Sequence, residues 1–199
     1  DSLREVIWSV IGDYSSSNNA ESFGHLDEVL RIAQKFPNIK GAIFDDFFIA
    51  DRLAEYTVDK VAEIHKRLSE APSGKLDLWV VVYDYMQDIV TDDYLKHFDG
   101  ITYWTWHGND LEKFEENYSK MRAKCAGKRI LLGCYLYDYG NKKQLTKEQM
   151  EFQLNRYAKA IRDGEVEGVI LLSNTVADLG FEAVEFTKQW IAEHGDELV

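Results

Sequence analysis

Asp45 and Asp46 close the apolar run Ile39-Lys40-Gly41-Ala42-Ile43-Phe44, and Phe47 and Phe48 follow them. Two acids at the end of an apolar run are costly to place there unless they have a partner or a task. Neighbouring strand residues point to opposite faces, so both acids can serve one pocket only if the strand has already ended. With Ile43 and Asp45 on the interior face, Ala42 and Phe44 pack under a helix, Asp45 is the pocket residue and Asp46 belongs to the loop. Asp84 ends another apolar run, between Tyr83 and Tyr85. Carboxylates at the ends of adjacent strands can cleave a glycosidic bond, one protonating the leaving oxygen while the other acts as base or nucleophile. The candidate catalytic residues are therefore Asp45, Asp84 and Asp46. The structural alternative is that Asp45 and Asp46 only cap the next helix or bind a loop amide.

A second constellation is aromatic. Tyr83, Tyr85, Trp104, Trp106, Tyr135, Tyr137 and Tyr139 all fall near the ends of apolar runs. Thr102, Trp104 and Trp106 share one strand face, opposite Ile101 and Tyr103. Aromatic faces stack on the C–H faces of sugar rings, while phenol and indole groups add polar contacts at the rim. Tyr83, Trp104, Trp106, Tyr135 and Tyr137, with the strand-end polar residues Asp138 and Asn174, are the candidate substrate-binding residues. The competing reading is that these rings fill the core. Trp79 and Trp190 read as packing residues.

Alternating strands and helices must position these groups. Apolar runs from Glu5, Ile39, Leu78, Ile101, Ile130 and Val169 read as buried parallel strands. Between them, apolar residues recur at helical spacing: Leu26, Val29, Leu30, Ala33 and Phe36; Val61, Ile64 and Leu68; Leu111, Phe114, Tyr118, Met121 and Cys125; Met150, Leu154, Tyr157 and Ile161. Thr57 and Thr91 stand where caps are wanted, and Thr146 with Gln149 has capping-box spacing. Glycines 41, 100 and 168 each precede a strand, where a tight turn is expected. The whole makes about six βα units of roughly 33 residues each, the size of parallel crossover units. The fold class expected is α/β, a (β/α) TIM-type barrel in a single domain over 1–199. Because a full barrel takes about 250 residues, it is expected to be partial, the C-terminal part of a larger barrel with upstream βα units missing. Such a barrel leaves strand edges exposed, so either self-association or filling by upstream polypeptide is expected. The other architecture considered is an open doubly wound sheet.

The net charge of -12 argues against nucleic acid or an anionic membrane as the main partner. No apolar run is long enough to span a bilayer. Cys125 and Cys134 read as two buried free thiols. No Gly-rich phosphate loop follows a strand, no H-x-H or H-E-x-x-H spacing occurs, and only His107 among the histidines ends a strand. His25, His65, His97 and His194 read as lone residues. No cofactor and no metal are expected.

The acid-ended second strand, the Tyr-Asp-Tyr ending of the third and the aromatic strands together resemble the catalytic half of glycoside-hydrolase (β/α)8 barrels, in the architecture shared by chitinase-like enzymes. Against the chitinase pattern D-G-x-D-x-D-x-E, Gly41 falls on the G, and Ile43 and Asp45 on the two D positions after it. Phe47 stands at the catalytic Glu, so chitinase activity itself does not carry over. The resemblance implies a sugar-processing barrel: a glycoside hydrolase acting on a carbohydrate through strand-end aspartates with an aromatic sugar-binding platform. The alternative is a saccharide-binding barrel without catalysis. A lyase or aldolase is disfavoured, since no lysine ends a strand to form a Schiff base.

Overall fold

The computed structural model describes residues 3–12, 23–173 and 176–198. Six strands, β1 (Val6–Ile11), β2 (Ile39–Phe44), β3 (Asp77–Tyr83), β4 (Gly100–Trp104), β5 (Arg129–Tyr135) and β6 (Gly168–Leu172), alternate with helices α1 (Leu26–Ala33), α2 (Ala50–Glu55), α3 (Val58–Ser69), α4 (Asp92–Leu95), α5 (Phe114–Lys124), α6 (Lys147–Arg162) and α7 (Glu182–His194). The strands form one parallel sheet in chain order, so the architecture is α/β, a partial (β/α) TIM-type barrel. Val6 pairs with Ile39 and Ile11 with Phe44, Gly41 with Asp77 and Phe44 with Val80, and Leu131 with Gly168 and Tyr135 with Leu172. By compactness the chain forms two units, Asp1–Val82 with Asp88–Ile101, and Tyr83–Gln87 with Thr102–Val199.

In the first unit, α3 begins where Thr57 Oγ1 accepts the Lys60 N–H (3.4 Å) and turns Val61, Ile64 and Leu68 inward. α1 stops at Ala33, which leaves Phe36 beyond the helix and 55% exposed rather than on its apolar stripe. α2 has no counterpart in the sequence reading: it buries no apolar residue, so it carries no periodic signal. Thr91 precedes α4 but makes no capping bond. Phe44, Phe47, Phe48, Tyr94 and Phe98 pack with ring centroids 5.0–6.5 Å apart, mostly edge to face, and fill the core between sheet and helices.

His65 is not a lone residue. Its Nε2 lies 3.3 Å from Asp99, which also accepts from Lys75 Nζ and the Leu78 N–H, both at 2.9 Å. Burial pushes the Asp99 carboxyl up, but His65, the Leu78 amide and Lys75 together outweigh it and hold the group well below the usual carboxylate range. A depressed folded-state pKa adds stability above the unfolded value of about 4, and that stability is lost as pH falls. Asp99→Asn is therefore expected to lower the thermal midpoint at pH 7 and by less at pH 3, the remaining deficit closing only as pH falls through the depressed folded-state value. An equal deficit at both pH values, measured by calorimetry, would show that the charge of Asp99 plays no part.

In the second unit the Thr146–Gln149 capping box starts α6, with both reciprocal bonds made (3.0 and 3.2 Å). A 3-10 turn at Gly108–Lys113 carries Leu111, and α5 proper starts only at Phe114. Rings of Tyr103, Phe114, Tyr118 and Tyr157 pack 5.3–6.2 Å apart between β4 and these helices. Cys125 and Cys134 are buried free thiols, each against a methionine sulfur, and burial pushes the Cys134 thiol up to about 12.

The pre-strand glycines do not work as turn formers: 41, 100 and 168 lie inside strands with ordinary backbone angles. Gly100 and Gly133 serve close approach instead. A Cβ at Gly100 would come within 2.4 Å of the Trp79 ring, and one at Gly133 within 1.9 Å of Trp104. In both places an indole on one strand lies across a glycine that has no side chain to block it. Among parallel strands, normally buried on both faces, β6 stands out, because Leu171 is 39% exposed and its apolar neighbours are half-buried.

Candidate functional site

In the first unit β2 ends at Phe44, so Asp45 and Asp46 both lie in the following loop. The Asp45 N–H still donates to Ile11 O (2.9 Å), which extends the ladder by one residue. Asp45 Oδ1 accepts the Asp46 N–H at 3.0 Å, and Asp46 takes a left-handed backbone with φ of 46°. Aspartate tolerates that conformation because its short side chain bonds locally. Ala42 and Phe44 are fully buried, while Ile43 and Asp45 are half-buried, as the strand alternation predicts. Neither acid caps α2, whose N-cap is Ile49.

In the second unit the aromatic residues form one continuous run. Tyr85 stacks on Tyr83 (5.6 Å, 4° between planes), and Tyr83 meets Trp106 edge-on at 5.2 Å. Trp106 meets Tyr135 at 6.0 Å, Tyr135 meets Tyr139 at 5.0 Å, and Tyr139 meets Tyr137 at 5.3 Å. Tyr137 in turn lies beside Phe181 at 6.0 Å, nearly coplanar. Trp104 sits beneath: it is buried, lies 4.7 Å from Tyr135, and its Nε1 donates to Thr102 Oγ1 (2.8 Å). Trp104 and Tyr83, both 5% exposed, are thus supports of the run, whereas Trp106, Tyr135, Tyr137 and Tyr139 are half-buried and Tyr85 is exposed. Tyr83 and Tyr135 end β3 and β5, and Tyr85, Trp106, Tyr137 and Tyr139 follow in the loops past the strand ends.

Asp84 is 6% exposed. Its N–H donates to Trp104 O (2.9 Å), and its Oδ1 accepts the Trp106 N–H (3.2 Å). Burial pushes its carboxyl up, and nearby Asp110 adds to this, against the Trp106 amide and His107, which lower it. Asp84 also disfavours ionisation of Tyr103 and Tyr157.

Asp138 is 2% exposed, and both its oxygens are engaged: Asn141 donates its N–H to Oδ1 (3.0 Å) and its Nδ2 to Oδ2 (2.9 Å). It borders a cavity of only about 10 Å³, room for a single water. Its carboxylate therefore shapes the loop after β5 from within. Asn174 lies outside the described residues.

Phe181 and the His107–Asp110 pair (3.6 Å) escape the sequence reading. Phe181 precedes α7, far along the chain from the other rings, and nothing local marks it. Asn109 or Asp110 reads simply as a helix opener, whereas Asp110 lies within the first turn of the 3-10 stretch, whose N-cap is His107. Among the described residues no cluster of three or more His, Cys, Asp or Glu side chains is arranged to hold a metal ion, and no helix is long and apolar enough to cross a membrane.

No family model matches this sequence, and no curated protein does. Solved structures do share the fold. A chitinase from Chromobacterium violaceum superposes with a TM-score of 0.55 over 90% of this chain and 78% of its own, at 11% identity. A Bacteroides thetaiotaomicron protein described as an α-L-fucosidase gives 0.54 over 86% of this chain at 10% identity. A β-glucuronidase from Ruminococcus gnavus gives 0.50 over 76%, also at 10% identity. The chain spans 61% of the length of the second of these and 28% of the third. At such identities the likeness is one of fold: this chain has the partial (β/α) barrel architecture found in those glycoside hydrolases.

Proposed function

We propose that this protein is a carbohydrate-active barrel that binds a saccharide along the aromatic run from Tyr85 to Phe181. The run itself carries the proposal: successive rings no more than 6.0 Å apart over the carboxyl ends of β3, β4 and β5. The accessible parts of these rings, with phenol hydroxyls and one indole N–H, suit the apolar C–H faces and equatorial hydroxyls of pyranose rings. The acidic balance of the chain suits a neutral or hydroxyl-rich ligand better than a polyanion. The fold shared with the chitinase and the other two glycosidases supports the same class of ligand.

Hydrolysis is the finer form of this proposal, and it rests on Asp45 as the acid. Asp45 is the lead candidate because it is half-buried at the end of β2 and faces the side opposite Phe44. The alternative, saccharide binding without turnover, is favoured by Asp84, whose carboxylate is committed to the Trp106 amide.

Binding is tested by calorimetric titration with a panel of α- and β-linked gluco-oligosaccharides and N-acetylglucosamine oligomers. Trp106→Ala is expected to weaken the best-bound member at least tenfold, about 1.4 kcal/mol. Affinity unchanged by Trp106→Ala would end the proposal, as would a wild-type protein that binds none of the panel.

A further inference from the structure

We infer that Asp84 is a positioning residue, one that sets the aromatic platform by fixing Trp106 rather than by exchanging a proton with substrate. The inference rests on the saccharide reading above and deepens it. Two bonds carry it. The Asp84 N–H donates to Trp104 O at 2.9 Å, and Asp84 Oδ1 accepts the Trp106 N–H at 3.2 Å. One residue just past β3 thus grips the chain on both sides of Thr105, where β4 has ended, while the Gly140 N–H donates to Trp106 O (3.3 Å). The grip fixes the backbone that aims the Trp106 indole, which stands edge-on to Tyr83 at 5.2 Å and beside Tyr135 at 6.0 Å. If Trp106 is loosened, the run is broken at its middle.

The surroundings of Asp84 fit this role better than acid catalysis. It is 6% exposed, while Tyr85 next to it is 56% exposed and Trp106 is half-buried. The side chain of Gln87 closes the turn by donating to Asp84 O (3.2 Å) and to Asn117 O (3.5 Å), and Lys124 Nζ donates to Gln87 O. The turn after β3 is therefore tied to α5 and built for rigidity. What the Trp106 amide needs from position 84 is an acceptor oxygen, and a neutral amide supplies one as well as a carboxylate does. A buried carboxylate moreover costs stability when ionised, a cost the amide does not carry.

The two roles separate on the conservative substitution. Asp84→Asn keeps the acceptor and removes the titrating group, whereas Asp84→Leu fills the space and removes the acceptor. The first readout needs no ligand: amide hydrogen exchange at Trp106, followed by NMR. The Trp106 amide should stay protected in wild type and in Asp84→Asn, and exchange at least tenfold faster in Asp84→Leu. The second readout is affinity for the best-bound member of the saccharide panel, expected within about threefold of wild type for Asp84→Asn and at least tenfold weaker for Asp84→Leu. Any turnover should follow affinity, with the pH profile of Asp84→Asn matching wild type.

An Asp84→Asn protein with full Trp106 protection but turnover lost, or with a displaced pH profile, would overturn the inference in favour of a catalytic acid. Equal Trp106 protection in Asp84→Leu and wild type would overturn it as well. If protection behaves as expected while Trp106→Ala binds saccharide like wild type, the platform reading fails, and with it the functional part of this inference.

Discussion

Replacing Asp45 with asparagine is expected to lower hydrolysis of aryl glycosides by about 10²- to 10⁴-fold, the usual contribution of a positioned acid or base. Asparagine is the right probe because it keeps an oxygen where Asp45 Oδ1 accepts the Asp46 N–H at 3.0 Å. The turn after β2 should therefore survive, and the thermal midpoint should stay close to wild type. Asp46→Asn is the control: Asp46 holds a φ of 46°, a conformation asparagine also tolerates, so this variant should fold and turn over normally. If both variants keep full activity while Asp45→Asn melts lower, Asp45 is a turn residue only. A wild-type protein without turnover on any glycoside that nonetheless binds saccharide through Trp106 would leave the binding reading standing alone.

The second large effect concerns Phe47, the residue that the chitinase-like pattern of the sequence sets at the glutamate position. Phe47→Glu is expected to unfold the protein rather than restore an enzyme. Phe47 is fully buried, with Phe48 at 5.0 Å, Phe44 at 5.2 Å, Tyr94 at 5.4 Å and Phe98 at 5.8 Å. Losing a buried phenylalanine costs about 3–5 kcal/mol, and a carboxyl group placed among these rings adds a desolvation penalty with no partner to offset it. Against a typical total stability of about 5–15 kcal/mol, little would remain. Chemical denaturation with circular dichroism checks this; a variant as stable as wild type would mean that the first unit's core can open at this position. Phe47→Leu, which keeps the site apolar, should lose far less.

Much of the fold was legible because its signals are local. The capping box at Thr146 and Gln149 joins residues three apart, and the buried stripe Val61, Ile64 and Leu68 repeats with the helical period. The sequence reading went astray where such signals were missing or had another cause. α2 buries no apolar side chain and so left no pattern. Gly100 resembled a turn glycine, but the ring of Trp79, on the neighbouring strand, is what requires it. His65 looked solitary because its partner, Asp99, lies in a different element.

The candidate site divides the same way. By itself the sequence set these acids and rings at the ends of apolar runs, and those runs are strands in the structure. It also determined that Ala42 and Phe44 would be buried while Asp45 faced the other side. Tertiary structure alone decided which partners these groups meet. Asp84 was committed by the Trp106 amide, 22 residues away in the chain, and Asp138 by the loop that folds Asn141 back onto it. Phe181 joined the run only because the segment before α7 returns to Tyr137, and Trp104 became a buried support because Gly133 leaves room for its indole. The physical reason is common to all four. Alternation along a strand sets the side to which a residue points, but the atoms it meets there come from distant segments whose placement depends on packing of the whole.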